Sequence, residues 1–325
     1  MKKQRKRDIL KSMKPFKRTL FMTILLTYLV ILAGAIVRGT GSGLGCPDWP
    51  RCFGQWVPPT DITELPDDYK TKFQIAGKVI ADFDPFKTWT EYLNRLVGAV
   101  LGFFILVLFL RSFRIHEEKN ISWYCGGLLI LVMAQGGLGA LVVSTHLKPI
   151  MITLHMLLAM LLLFGLLYLK KYCDDLEDTG VVIESDPKMR GWSNLLLGMV
   201  FFQVLLGTQV RQLVDHLMRD TMKATPETVI DQLGILFYLH RSFSILVLGL
   251  FVFLLIKFHR EHYNRKAFFL TFSAFLCALV NVVSGVALNY FSFPAEAQPP
   301  HLFFAIICVS LLYSLRLHLK GTLIN

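Results

Sequence analysis

Eight blocks of apolar residues, each close to 20 long, punctuate this 325-residue chain, roughly at 19–38, 92–112, 121–143, 150–169, 192–211, 236–256, 267–288 and 301–317. A helix of that length spans a hydrocarbon core of ~30 Å at ~1.5 Å per residue. Hydrophobic residues make up 54% of the chain and charged residues 18%, against nearer half and about a quarter in soluble domains. The excess lies in the blocks. The sequence therefore predicts an all-α integral membrane protein with eight transmembrane helices, for which the lipid bilayer is the main solvent.

The formal net charge of +11 raises nucleic acid as a partner, but its distribution argues against one. Nine of the 34 Lys and Arg precede residue 19, and most others flank apolar blocks, where basic residues set topology and attract anionic lipid. With eight spans, the basic tail, the loops at 111–120, 170–191 and 257–266, and the C-terminal Arg316 and Lys320 all fall on one side. The longer loops at 39–91, 144–149, 212–235 and 289–300 fall on the other. Both termini are therefore expected to be cytoplasmic. The first apolar run is too long for the core of a cleaved signal peptide, and the basic N-terminus lacks the Ser-rich character of a transit peptide. That favours a bacterial cytoplasmic membrane.

The second half of the chain repeats the first. Tyr92, Leu93 and Arg95 match Tyr238, Leu239 and Arg241 at an offset of 146, which also takes Gln135 to Asn281, Gly139 to Gly285, His155 to His301 and Ala159 to Ala305. In the first helix of each half, Gly34 and Arg38 match Gly207 and Arg211. Repeated bundles commonly hold sites in membrane proteins, and four helices suffice to enclose a cofactor. The expected organisation is two pseudo-symmetric four-helix bundles. Residues 1–18 form a basic cytoplasmic tail, 19–170 the N-terminal bundle with an outer cysteine loop at 39–91, 171–191 a cytoplasmic linker, and 192–325 the C-terminal bundle.

His155, His240 and His301 each open an even-numbered helix. In the second half, His240 and His301 can face each other across the bundle, and two neutral imidazoles facing a planar cofactor hold heme iron. Zinc would call for three or four ligands with Cys or carboxylate, and no such cluster is visible. In the first half the matching positions are Asn94 and His155, so that half has one strong ligand. Glu91, one helical turn before Asn94, has Phe237 as its counterpart. A carboxylate at membrane depth is a functional candidate; at a helix entrance it is equally a solvated group favoured by the macrodipole. Arg38, Arg95, Arg211 and Arg241 lie at outer helix ends, placed either to pair with heme propionates or to snorkel to the interface. Cys46 and Cys52, on the oxidising side, can form a disulfide, and a short exposed bridge there can also be redox-active. Gly39, Gly41, Gly43 and Gly45 allow tight turns, but without the Lys of a P-loop.

These residues resemble the heme A synthase family. The GSGLGCPDWPRC loop, the Glu91-x-x-Asn94-Arg95 segment and the three helix-opening histidines carry the resemblance, which covers nearly the whole chain. It implies an eight-helix membrane oxidoreductase that oxidises a methyl group of heme O to a formyl group, giving heme A for terminal oxidases. It implies heme b on His240 and His301, near Arg211 and Arg241. It places substrate heme O on His155 near Asn94, Arg38 and Arg95, with Glu91 and the loop cysteines Cys46 and Cys52 as catalytic residues. A membrane farnesyltransferase, the heme O synthase, is the expected donor, and a homo-oligomer is compatible with the sequence. One departure stands out: the family pattern is usually Glu-x-x-His-Arg, and here Asn94 replaces the His. Three outcomes follow: five-coordinate binding on His155, replacement of the missing ligand by His146, or loss of activity. The competing class is a non-catalytic b-type cytochrome in quinone-linked electron transfer, which would leave Glu91 and the cysteine loop idle. A repeat-built transporter would call for broken helices and midplane charges, and neither is visible.

Overall fold

The computed structural model describes residues 2–115, 118–177, 180, 182–185, 187–220, 229–230, 232–261 and 264–321. Among them, eight helices are long and apolar enough to cross a membrane: α1 Lys2–Gly39, α2 Pro85–Ser112, α3 Lys119–Ser144, α4 Pro149–Leu176, α5 Pro187–Asp220, α6 Gly234–Arg260, α7 Arg265–Tyr290 and α8 Gln298–His318. The protein is a multi-pass, all-α integral membrane protein. Large apolar side chains such as Ile130 and Val283 stand exposed on the helices, an arrangement suited to lipid and costly in water. The only strands among the described residues are two three-residue segments, β1 Ile183–Ser185 and β2 Leu319–Gly321, paired in parallel.

Local chemistry sets the helix starts. The Asp84 carboxylate accepts from the Lys87 amide at 3.2 Å, and Pro85 follows at the first helical position of α2, a combination that caps orphan N–H groups and fixes φ. Pro149 opens α4 as Pro85 opens α2, here without a side-chain cap. Inside α1, the buried hydroxyls of Thr23 and Thr27 each donate to the carbonyl four residues earlier, at 2.8 Å, so neither hydroxyl is left unsatisfied away from water.

The helices group into two compact units, Met1–Asp178 and Thr179–Asn325. In the first, α1 packs on α2, α2 on α3, α3 on α4, and α4 back on α1. In the second, α5, α6, α7 and α8 close the same ring. The correspondence extends into a turn that sequence matching did not show. His146 and Leu147 after α3, and Ser292 and Phe293 after α7, all have left-handed backbones with φ between 56° and 58°, uncommon for residues other than glycine. The same closing bonds follow: Leu147 N–H to Val142 O at 2.9 Å and Phe293 N–H to Leu288 O at 3.1 Å. These end both helices in a Schellman-like reversal.

Two expected loops differ. The loop expected over 212–235 is helical as far as Asp220, and its residues 221–228 and 231 lie outside the described set. The helix continues because Arg211 pairs with Asp215 one turn on, at 3.0 Å, and because Val210, Leu213, Val214 and Leu217 keep an apolar face against Val229, Leu233, Phe237 and Phe293. The outer loop at 39–91 is a small folded layer with its own core. Phe53 sits at its centre, edge-on to Tyr69, Phe73 and Phe83 at 6.3, 5.5 and 5.7 Å between centroids, and Cys46, Cys52 and Leu65 are buried with it.

Candidate functional site

In the first unit the outer layer is fastened to the start of α2 through two residues one helical turn apart. Glu91 is 3% exposed, which rules out the solvated reading of a carboxylate at the helix entrance. Its Oε2 accepts from the Cys46 amide at 2.9 Å, and its Oε1 accepts from Arg95 Nε at 3.2 Å and Nη2 at 2.5 Å. Arg95 also donates through Nη1 to the carbonyls of Asp48 (2.7 Å) and Arg51 (3.0 Å), and through Nη2 to that of Cys46 (2.9 Å). These bonds match the five donors of a guanidinium. Glu91 and the loop backbone together take all five donors, in place of the propionate expected for Arg95.

Cys46 and Cys52 form a disulfide, and both are buried, at 0% and 1% exposure. The bridge is enclosed, where one of the two open readings of it called for exposure, and it lies beside the Cys46 amide that donates to Glu91. Thr88 Oγ1 donates to Gly45 O at 2.9 Å. The approach is so close that a Cβ on Gly45 would lie 2.4 Å from the Lys87 carbonyl oxygen, so only glycine fits there.

The histidines stand within the first two turns of their helices, each against a glycine of a neighbouring helix. A Cβ on Gly139 would lie 3.3 Å from His155 Cε1, one on Gly285 3.3 Å from His301 Cε1, and one on Gly207 3.0 Å from His240 Cε1. Gly34 stands in the same relation to Asn94, with the Cβ position 3.9 Å from Asn94 Oδ1. The repeat thus preserves four notches for side chains at positions 94, 155, 240 and 301. Filling a notch beside an imidazole overpacks it, at a cost of about 1–3 kcal/mol. Gly207→Ala is expected to lower the melting temperature of the purified protein by several degrees and Gly34→Ala by far less; equal shifts would contradict the notch geometry.

In the second unit the His240 and His301 rings face each other with centroids 6.4 Å apart and planes inclined by 68°. His301 Nδ1 lies 3.0 Å from the Asn281 carbonyl oxygen and 3.0 Å from Ser284 Oγ. Because a carbonyl only accepts, the Nδ1 carries the proton and Nε2 keeps its lone pair. Gln203 Nε2 donates to the His240 carbonyl at 2.9 Å. Arg211 belongs to this unit, with Nη1 donating to Gln298 Oε1 at 2.7 Å, three residues before His301. Arg241 is exposed, and Arg38 is half-buried at the end of α1. His146 sits in the left-handed turn after α3. Sequence reasoning missed Gln203, Ser284 and the notch glycines as functional groups. The offsets linking Gln135 to Asn281 and Gly139 to Gly285 were the available signal.

Half-buried imidazoles held in glycine notches, inside closed rings of four apolar helices, define a class: polytopic membrane proteins built of four-helix bundles with histidines at the helix starts. A family model described as cytochrome oxidase assembly protein matches residues 17–313. Heme A synthase from Shewanella oneidensis is 31% identical over 194 residues, 57% of this chain and 54% of that protein. Heme A synthase from Nitrosospira multiformis is 29% identical over 211 residues, 60% and 58% of the two chains. Heme A synthase from Geobacillus thermodenitrificans is 31% identical over 126 residues, 38% and 32%. The match to the first two relatives spans a little over half of their length. The chain belongs to the heme A synthase family of cytochrome oxidase assembly proteins.

Proposed function

We propose that this protein is a heme A synthase, an oxidoreductase that converts the methyl group of heme O to a formyl group and so supplies heme A to terminal oxidases. The observation that carries the reading is the buried Glu91, clasped under a disulfide-braced outer layer in one unit only. A second heme-binding bundle would suffice for a cytochrome; a pinned carboxylate with Phe237 as its counterpart adds chemistry to one half.

Heme b is assigned to His240 and His301. A metal held about 2 Å from each of two facing imidazole nitrogens requires ring centroids roughly 6 Å apart, and the observed 6.4 Å fits. Substrate heme O is assigned to His155 in its Gly139 notch. When bound, the b heme supplies one-electron transfer while the substrate heme brings the reacting methyl carbon. The protein's own residues do the rest. Glu91 provides a fixed negative charge for a carbon that becomes electron-poor and an oxygen able to accept its proton, since each carboxylate oxygen retains acceptor capacity beside its present bonds. Arg38 on the substrate side, and Arg211 and Arg241 on the b side, bind propionates by charge-assisted bonds. Cys46 and Cys52 act by holding the Cys46 amide on Glu91. The protein sits in a bacterial cytoplasmic membrane with both termini cytoplasmic, and takes heme O from a membrane farnesyltransferase.

Glu91→Gln tests the reading. The amide oxygen can still accept from the Cys46 N–H, so folding and heme content are expected to persist while conversion of supplied heme O falls by at least ~100-fold. Undiminished conversion by this variant would remove Glu91 from the chemistry.

A further inference from the structure

The two units treat their histidines differently, and the difference bears on how long a porphyrin stays. Resting on the assignment of substrate heme to the first unit, we propose that Asn94 and Gln135 make that unit a single-imidazole, exchangeable porphyrin site with one axial face open to a small neutral ligand.

The argument starts from which nitrogen is free. In the second unit, His301 Nδ1 is held by the Asn281 carbonyl and Ser284 Oγ, and Nε2 is left for a metal. In the first unit the pattern is inverted. His155 Nδ1 is buried and makes no hydrogen bond. His155 Nε2 lies 3.2 Å from Gln135 Nε2, and the same amide nitrogen lies 3.0 Å from the His155 carbonyl oxygen. A carbonyl can only accept, so that bond identifies the amide nitrogen as the donor. The imidazole Nε2 must then be its acceptor. Gln135 therefore engages the lone pair that a metal needs, and the orienting bond that would strengthen the ligand from Nδ1 is missing. Gln135 is a positioning residue: a porphyrin must displace it on entry, and it re-forms its bond when the porphyrin leaves.

Across the bundle the second ligand is absent. Asn94 occupies the notch that its counterpart His240 fills, and the Gly34 Cβ position stands 3.9 Å from Asn94 Oδ1 where that of Gly207 stands 3.0 Å from His240 Cε1. An amide oxygen is a weak ligand for iron beside imidazole. Asn94 Oδ1 is also buried without a partner, so it is available to accept a hydrogen bond from a small molecule on that face. His240 Nδ1, like that of His155, makes no hydrogen bond, so the division lies in the second imidazole, the held Nδ1 of His301 and the Gln135 guard: two imidazoles with Nε2 of His301 free where the group is to stay, one guarded imidazole where it must come and go.

Carbon monoxide added to the dithionite-reduced, heme-loaded protein reads the open face directly. The expected result is that one of the two hemes shifts to a carbonyl spectrum and the other does not. Asn94→His is expected to abolish that shift. Transfer of ferric heme to apomyoglobin reads retention: one heme should leave the wild type at least about tenfold faster than the other, and Gln135→Leu should slow that phase by about tenfold. Two hemes that are both inert to carbon monoxide and leave at one rate overturn this inference and leave the assignment of function standing. Absence of any bound heme overturns both.

Discussion

Arg95→Ala is expected to detach the outer layer from the first unit. The substitution removes five donors at once, freeing the carbonyls of Cys46, Asp48 and Arg51, and leaves a carboxylate that is 3% exposed without its cation. Breaking a buried pair from one side costs about 3–5 kcal/mol, more than the packing of a small layer around Phe53 can absorb. The readout is protease nicking within residues 53–84 of the membrane-embedded protein, which should become rapid while the helices stay protected. Arg95→Lys should behave nearly as badly, because a single ammonium cannot serve three carbonyls and a carboxylate with the geometry of a planar fork. Adding Glu91→Gln to Arg95→Ala should restore part of the loss, since the stranded charge is gone, and the shortfall from additivity measures the pair. An Arg95→Ala protein with a loop as resistant as the wild type would show that the clasp is incidental.

His301→Ala is expected to empty the second unit of its heme. The variant removes the imidazole whose Nδ1 is held by the Asn281 carbonyl and Ser284 and leaves His240 without the ring that stood 6.4 Å away between centroids. About half of the heme should be lost from the purified protein, and the remainder should carry the spectrum of the first unit alone. Ser284→Ala, which leaves the Asn281 carbonyl in place, should weaken retention by about tenfold rather than abolish it. Full heme content in the His301→Ala protein would move the b heme elsewhere.

Much of this architecture was legible from residue order. Each apolar block is long enough to cross a bilayer and too long for an ordinary core helix, so the eight spans follow from length alone. The pairing of His240 with His301 was legible because both open even-numbered helices of one half, which puts them at a similar depth on one side of the bundle. What stayed hidden has a physical reason in each case. The aromatic core of the outer layer, Phe53 with Tyr69, Phe73 and Phe83, has no period for a pattern to catch, since an irregular layer packs through contacts distant in sequence. Glu91 and Arg95 were each picked out, yet apart from each other their partners are backbone groups, which sequence does not distinguish. That led Arg95 to be assigned to a propionate. Gly34, Gly139, Gly207 and Gly285 were visible as repeat matches, but a notch is a distance between two helices, and only the structure sets it. The helical continuation to Asp220 was missed because Arg211, Asp215 and His216 interrupt the apolar pattern where the helix passes the expected boundary.

Heme extraction followed by chromatography tests the central claim most directly, on protein purified from cells that co-express a heme O supply. The account predicts heme A in the extract beside heme B, and heme O in place of heme A when Glu91→Gln is substituted. Heme B alone, with heme O abundant in the same membranes, would contradict it and return the protein to the class of b-type cytochromes.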